Sequence, residues 1–98
     1  VRIYRYPLEV LDKQILELPA TAQPLSVAPG RGADRYSIDL WCLVPEIPPA
    51  VKYQVDIYGT GHPIGRGEIT LDPVALGYVG TAVMSDGYVW HVFIGLAR

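Results

Sequence analysis

Cysteine is almost missing from this chain of 98 residues: Cys42 is the one copy. An internal disulfide is therefore excluded, and the count fits a reducing compartment. Clustered positive charge is missing as well. Arg2, Arg5, Lys13, Arg31, Arg35, Lys52, Arg66 and Arg98 are scattered, and the formal net charge is −2. Nonspecific nucleic-acid binding draws on a basic patch, so no nucleic-acid partner is expected. No apolar run approaches the roughly 20 residues of a membrane-spanning helix, so no membrane partner is expected either. Val1 to Tyr6 alternates charge and bulk and lacks the apolar segment of a signal peptide. Internal repeats and low-complexity segments are also lacking.

Half of the residues are hydrophobic, and seven tyrosines and two tryptophans are present. A disordered chain is poor in aromatics, so this composition predicts a folded chain. Its length predicts one domain over residues 1–98.

The apolar pattern has a period of two through most of the chain. Arg2–Tyr6 reads as a first strand, with Pro7 marking its end or an edge position. Gln14–Leu18 and Gln23–Val27 follow. A helix over Leu8–Leu18 is the competing reading, weakened by prolines at both ends and by the want of an apolar stripe. Pro29–Asp34 is loop. In Tyr36–Val44, residues Ile38, Leu40, Cys42 and Val44 form one wholly apolar face, and Ser37, Asp39, Trp41 and Leu43 form a face that turns from polar to apolar. Pro45–Pro49 is extended loop. Val51–Tyr58 alternates most regularly. Glu68–Pro73 is a candidate short strand, with one helical turn at Asp72–Ala75. Leu76–Met84 and Tyr88–Ile94 pair through Ser85-Asp86-Gly87, whose Asp-Gly supplies the positive backbone angles of a tight hairpin. About seven short strands with Pro- and Gly-rich turns predict an all-β fold, a small antiparallel sandwich or barrel.

The densest chemistry lies in Tyr58-Gly59-Thr60-Gly61-His62-Pro63-Ile64. The plain account is a strand-ending turn: glycine allows positive φ, and Pro63 pushes His62 to an extended conformation. The functional account is a loop whose backbone N–H groups and Thr60 hydroxyl hold a small anion, with His62 adding charge or a hydrogen bond. The Lys-Ser/Thr ending of a nucleotide-hydrolase phosphate loop is absent. His91, between Trp90 and Val92, reads first as a half-buried sheet residue. Together, Gly59, Thr60, Gly61, His62, Trp90 and His91 are the candidate ligand-binding set, for an anionic metabolite or a nucleotide signal.

No complete catalytic set is visible, so no enzyme activity is expected. Two histidines do not complete a metal site, no cofactor is implied, and no Gly-x-Ser-x-Gly elbow occurs. Asp39, Asp56, Asp72 and Asp86 fit solvent faces, caps and turns. Cys42, inside an apolar run, reads as a small buried hydrophobe. The tyrosines exceed what a small core can hold. The plain account is that Tyr forms strands well and keeps a wet end. The sharper account is a contact surface of Arg2, Tyr4, Tyr6, Tyr58 and Tyr88 for a protein partner or for self-association.

Ile3-Tyr4-Arg5-Tyr6-Pro7-Leu8, Leu18-Pro19-Ala20, Leu25-Ser26-Val27, Leu40-Trp41-Cys42-Leu43-Val44, Tyr58-Gly59-Thr60-Gly61-His62-Pro63-Ile64, Tyr78-Val79-Gly80-Thr81 and Val89-Trp90-His91-Val92-Phe93 occur in this order. The set resembles a family of small proteins of unknown function encoded by tailed bacteriophages and prophages, often of actinobacterial hosts. The resemblance covers nearly the whole chain, with longer inserts at Pro29–Asp34 and Gly65–Val74. It carries no activity and no catalytic residue. It implies a phage-encoded accessory protein acting in the host bacterial cytoplasm, which makes a host protein the first partner to expect.

Overall fold

The computed structural model describes residues 1–31, 37–45, 49–61 and 77–97. Seven strands run through them: β1 (Arg2–Glu9), β2 (Lys13–Pro19), β3 (Gln23–Pro29), β4 (Ser37–Val44), β5 (Ala50–Gly59), β6 (Gly77–Val83) and β7 (Val89–Leu96). They form a three-stranded sheet, β1-β4-β3, and a four-stranded sheet, β2-β5-β7-β6. Every pairing is antiparallel. No ladder joins the two sheets among the described residues, so the all-β expectation resolves to a small sandwich and not a closed barrel.

Alternation explains the core. Ile38, Leu40, Cys42 and Val44 of β4 face inward, as do Tyr53, Val55 and Ile57 of β5 and Val92 and Ile94 of β7. Leu8, Leu18, Ala82 and Met84 close the layer from the outer strands and the hairpin. Each fully buried aliphatic side chain contributes about 1.5–3 kcal/mol, which offsets the ordering of so short a chain. Tyr53 buries its ring and donates its hydroxyl to the Ala20 carbonyl at 3.0 Å, so its polar tip is not stranded.

The helix alternative over residues 8–18 does not form. β1 ends at Glu9 and β2 begins at Lys13 in the other sheet. The corner between them is clamped by Gln14, whose amide donates to the Glu9 carbonyl at 2.7 Å and accepts from the Glu9 N–H at 3.3 Å. β1 passes straight through Pro7, which an edge strand tolerates because a ladder donor is dispensable there. The β6–β7 hairpin forms as expected, with one correction. Gly87 alone has positive φ, at 93°, while Asp86 does not. Gly87 N–H donates to the Met84 carbonyl and Met84 N–H to the Tyr88 carbonyl. This is the three-residue loop that ends in one left-handed glycine, and it needs no strain at Asp86. The Glu68–Pro73 strand and the turn at Asp72–Ala75 lie outside the described residues.

Two strands carry register shifts, β3 between Pro24 and Ser26 and β6 between Tyr78 and Gly80. The second decides the site. Strict alternation along β6 would put Tyr78 and Thr81 on opposite faces. The extra residue, Val79, brings both to the outer face, opposite Phe93 and His91 of β7. On its inner side β6 runs close to β3. A Cβ placed on Gly80 would stand 3.1 Å from Cγ2 of Val27, so glycine there keeps the sheets close.

Candidate functional site

The outer face of the four-stranded sheet carries a continuous polar–aromatic cluster. His91 lies on β7, between β5 and β6, with Tyr58 and Thr81 as its register partners. Thr60, just past the end of β5, reaches the same ring. Thr60 Oγ1 is 2.8 Å from His91 Nε2, and Thr81 Oγ1 is 3.0 Å from His91 Nδ1. The Tyr78 hydroxyl bonds in turn to Thr81 Oγ1. Both ring nitrogens are thus engaged by hydroxyls, which can donate or accept to suit either tautomer. The result is a chain, Tyr78–Thr81–His91–Thr60, that fixes the imidazole plane.

Aromatic rings wall this chain. Phe93 meets Tyr58 edge-on at 5.9 Å and Tyr78 at 5.6 Å between centroids, the geometry that ring quadrupoles favour. Beneath Tyr58 lies Asp56, fully buried although it faces outward. Its Oδ2 accepts from the Tyr58 hydroxyl at 3.0 Å and its Oδ1 from the Gln54 amide at 2.9 Å. The expectation of a solvent-facing Asp56 is corrected: two neutral donors two residues away on the same strand satisfy the carboxylate in place of water. Tyr58, Gly59, Thr60, Gly61, Tyr78, His91 and Phe93 line a cleft of about 210 Å³. Gly61 stands at its mouth with φ 83°, a backbone angle that glycine adopts without strain.

Of the candidate ligand-binding residues, Gly59, Thr60, Gly61 and His91 converge on this cleft. Trp90 does not. One residue from His91 on a strand, it points to the opposite side, where it packs against the core and stacks on Tyr88 at 5.8 Å. His62 lies outside the described residues. The candidate contact residues are spread over the molecule. Arg2, Tyr4 and Tyr6 share one face of β1, Tyr58 lies in the cleft, and Tyr88 sits at the β6–β7 hairpin. Tyr78, Thr81 and Phe93 complete the site, and the expected ligand-binding set does not include them. The signal for the first two was the pair Gly77 and Gly80 within a strand, which marks a bulge.

The three-stranded sheet holds a second buried carboxylate. Asp39 is 1% exposed, which corrects its reading as a solvent-facing residue. Arg5 Nη1 stands 3.1 Å from its Oδ1 and Arg31 Nε 3.8 Å from its Oδ2. On the inner side of the same strand, Cys42 is fully buried, and burial pushes its thiol up to about 11. Burial thus keeps the thiol protonated at physiological pH, as suits a group packed in the core. Among the described residues no three His, Cys, Asp or Glu side chains converge as a metal ion would need, and no helix is long and apolar enough to cross a membrane.

Over residues 1–97 the chain matches the family model of a domain of unknown function, DUF7352. The chain belongs to the DUF7352 family. No curated protein and no solved structure matches it. The DUF7352 description names no activity, so the reading of function rests on the cleft and its chemistry.

Proposed function

We propose that this DUF7352 domain is a non-enzymatic binding protein and that the cleft on the four-stranded sheet seats a small ligand through one planar polar group. One observation carries the reading. Hydroxyls, an imidazole and three aromatic rings, brought from β5, β6 and β7, face a single concave space of about 210 Å³. That space is below the roughly 300–1,000 Å³ of whole-ligand pockets. It suits one ring or head group, with the remainder of the ligand outside. Tyr58 and Tyr78 offer faces for stacking a base or similar ring. Thr60 and Gly61, both exposed, stand where an anionic group of the same ligand would lie. A nucleotide signal has both features.

The Thr60–His91–Thr81 chain has the outline of nucleophile, base and orienting group. Its orienting group is a neutral hydroxyl, however, and among the described residues no carboxylate bonds to His91. This supports binding over catalysis. With the phage resemblance, we take the host bacterial cytoplasm as the place of action.

The test is a thermal melt across a panel of nucleotides and nucleosides. A ligand that prefers the folded state at one hundred times its Kd stabilises it by about 2.7 kcal/mol, a shift of several degrees. Tyr78→Ala should abolish the shift. No shift across the panel sinks the reading. Ester hydrolysis that Thr60→Val abolishes would sink its non-enzymatic part.

A second reading is a protein partner, a host protein or a second copy, docking on the β1 side. Ile3 is 60% and Tyr4 47% exposed there, on the edge strand of the smaller sheet. A stoichiometric host protein captured by the wild type and lost in Tyr4→Ala, or a dimer by mass lost in the same variant, supports it.

A further inference from the structure

The outer face of the three-stranded sheet holds a feature that the cleft leaves unexplained. Asp39 is buried, and a buried carboxylate is tolerated when paired and hydrogen-bonded. Oδ1 meets that need through Arg5 at 3.1 Å. Oδ2 does not: among the described residues it accepts no hydrogen bond. Its neighbour Arg31 leaves its Nε 3.8 Å away, and the Arg31 side chain is 68% exposed. The same Arg31 guanidinium lies over the Trp41 ring, 5.3 Å from its centroid, at cation–π distance.

We propose that Trp41 and the Oδ2 edge of Asp39 form a guanidinium-binding site, which takes an arginine side chain of a protein partner in place of Arg31. The chain's own Arg31 shows which chemistry fits: a flat cation on an indole face, turned toward a carboxylate. It also shows that the fit is loose. A charge-assisted N–H···O contact closes to about 2.7–2.9 Å, so an arriving guanidinium gains by moving roughly 1 Å nearer than Arg31 stands. A partner protein is favoured over a free cation by the neighbouring row of the sheet. There Ile3 of β1 pairs with Leu43 of β4, next to Arg5 and Trp41. The exposed Ile3 and half-buried Leu43 form an apolar shoulder for the residues flanking an arginine. The site lies on the opposite sheet from the cleft and stands whether or not the cleft binds a nucleotide.

The test follows the Trp41 indole N–H by NMR while a capped pentapeptide, with arginine between glycines and leucine at both ends, is titrated into the intact chain. The expected result is a saturable shift of Trp41 that the citrulline version of the peptide does not produce. Arg31→Ala should tighten binding roughly two- to fivefold, the size of one exposed cation–π competitor. Asp39→Asn should abolish it. The pentapeptide should also bind more tightly than capped arginine alone. Should Asp39→Asn fail to fold, Arg31→Ala decides, because its side chain is mostly exposed. The proposal is overturned if arginine and citrulline peptides act alike on Trp41, or if Arg31→Ala weakens binding or leaves it unchanged. Equal affinity for capped arginine would overturn the protein source.

Discussion

Each sheet buries one carboxylate on its outward face, on a strand paired along both edges, and the two sheets satisfy it by opposite means. Asp39 of β4 is met by cations from elsewhere in the chain, Arg5 on β1 and Arg31 beyond β3. Asp56 of β5 is met by neutral groups of its own strand, the Gln54 amide and the Tyr58 hydroxyl. The first arrangement ties β1 to β4, with Arg31 standing near from beyond β3, yet among the described residues it leaves one oxygen without a hydrogen bond. The second satisfies both oxygens and holds Tyr58 upright beside the cleft. A buried charge can thus serve as a cross-strand tie with capacity to spare, or as a closed local support for a site.

Truncation at the tie should have the larger effect. Arg5→Ala leaves Asp39 buried with only the loose contact to Arg31. A fully buried pair broken this way costs about 3–5 kcal/mol. The Arg5 side chain is 38% exposed, and water screens part of the loss, so about 2 kcal/mol is expected from denaturant midpoints. In an Asp39→Ala background the same change should cost much less. Equal costs in the two backgrounds would show that Arg5 stabilises by packing and not by charge. Tyr58→Phe removes only the hydroxyl and keeps the ring against Phe93. A hydrogen bond to a charged acceptor contributes about 1.5–3 kcal/mol, and a half-buried donor falls at the low end. Salt separates the two cases further. In 1 M salt the cost of Arg5→Ala should shrink, while that of Tyr58→Phe should hold.

The contrast also marks what a period of two can and cannot convey. β4, β5 and β7 were legible because their inward residues are apolar at every second position, and burial is what alternation encodes. The Asp-Gly hairpin was legible because one glycine fixes it. Asp39 and Asp56 were not legible. Alternation puts them on outward faces, and it does not tell whether flanking Arg, Gln or Tyr side chains fold over them. The cleft was half legible. Gly59 to Gly61 announced a strand end, and His91 stood out by type. Tyr78 and Thr81 joined them only through the bulge at Val79, which reverses the facing of every β6 residue before it. Trp90 lies apart from the cleft because neighbours in sequence take opposite faces on a strand.

A smaller effect is expected from Thr81→Val, which is close in shape and removes one hydroxyl from the chain that holds His91. Stability should fall by about 1 kcal/mol or less, the net worth of one ordinary hydrogen bond. The informative readout is the pair of His91 ring-nitrogen NMR shifts. Loss of the Nδ1 partner should change the tautomer balance. Unchanged shifts would mean that Thr60 alone orients the ring.

The smallest effect concerns the inner side of β4, where Cys42 is the counter-case to Asp39: a titratable group buried without an opposite charge. Burial raises its pKa from 9.0 to about 11. The folded state thus holds the thiol proton more tightly than the unfolded chain does, and a raised pKa of this kind contributes stability that is fully present below pH 9. As pH climbs from 9 towards 11 the unfolded chain ionises first, and that contribution is lost. Burial pushes the Tyr6 hydroxyl up from 10.0 in the same sense, so stability should keep falling above pH 10 for both reasons. Cys42→Ala separates them. The variant should show a flatter melting-temperature profile between pH 9 and 10, where of the two groups the thiol titrates first, and a shallower decline above pH 10, where Tyr6 remains without the Cys42 thiolate that adds to its rise. A wild-type profile as flat as the variant's in the lower window would mean that the thiol reaches water through breathing of the sheet, and that β4 is less tightly covered on its inner side than on the side where Arg5 holds Asp39.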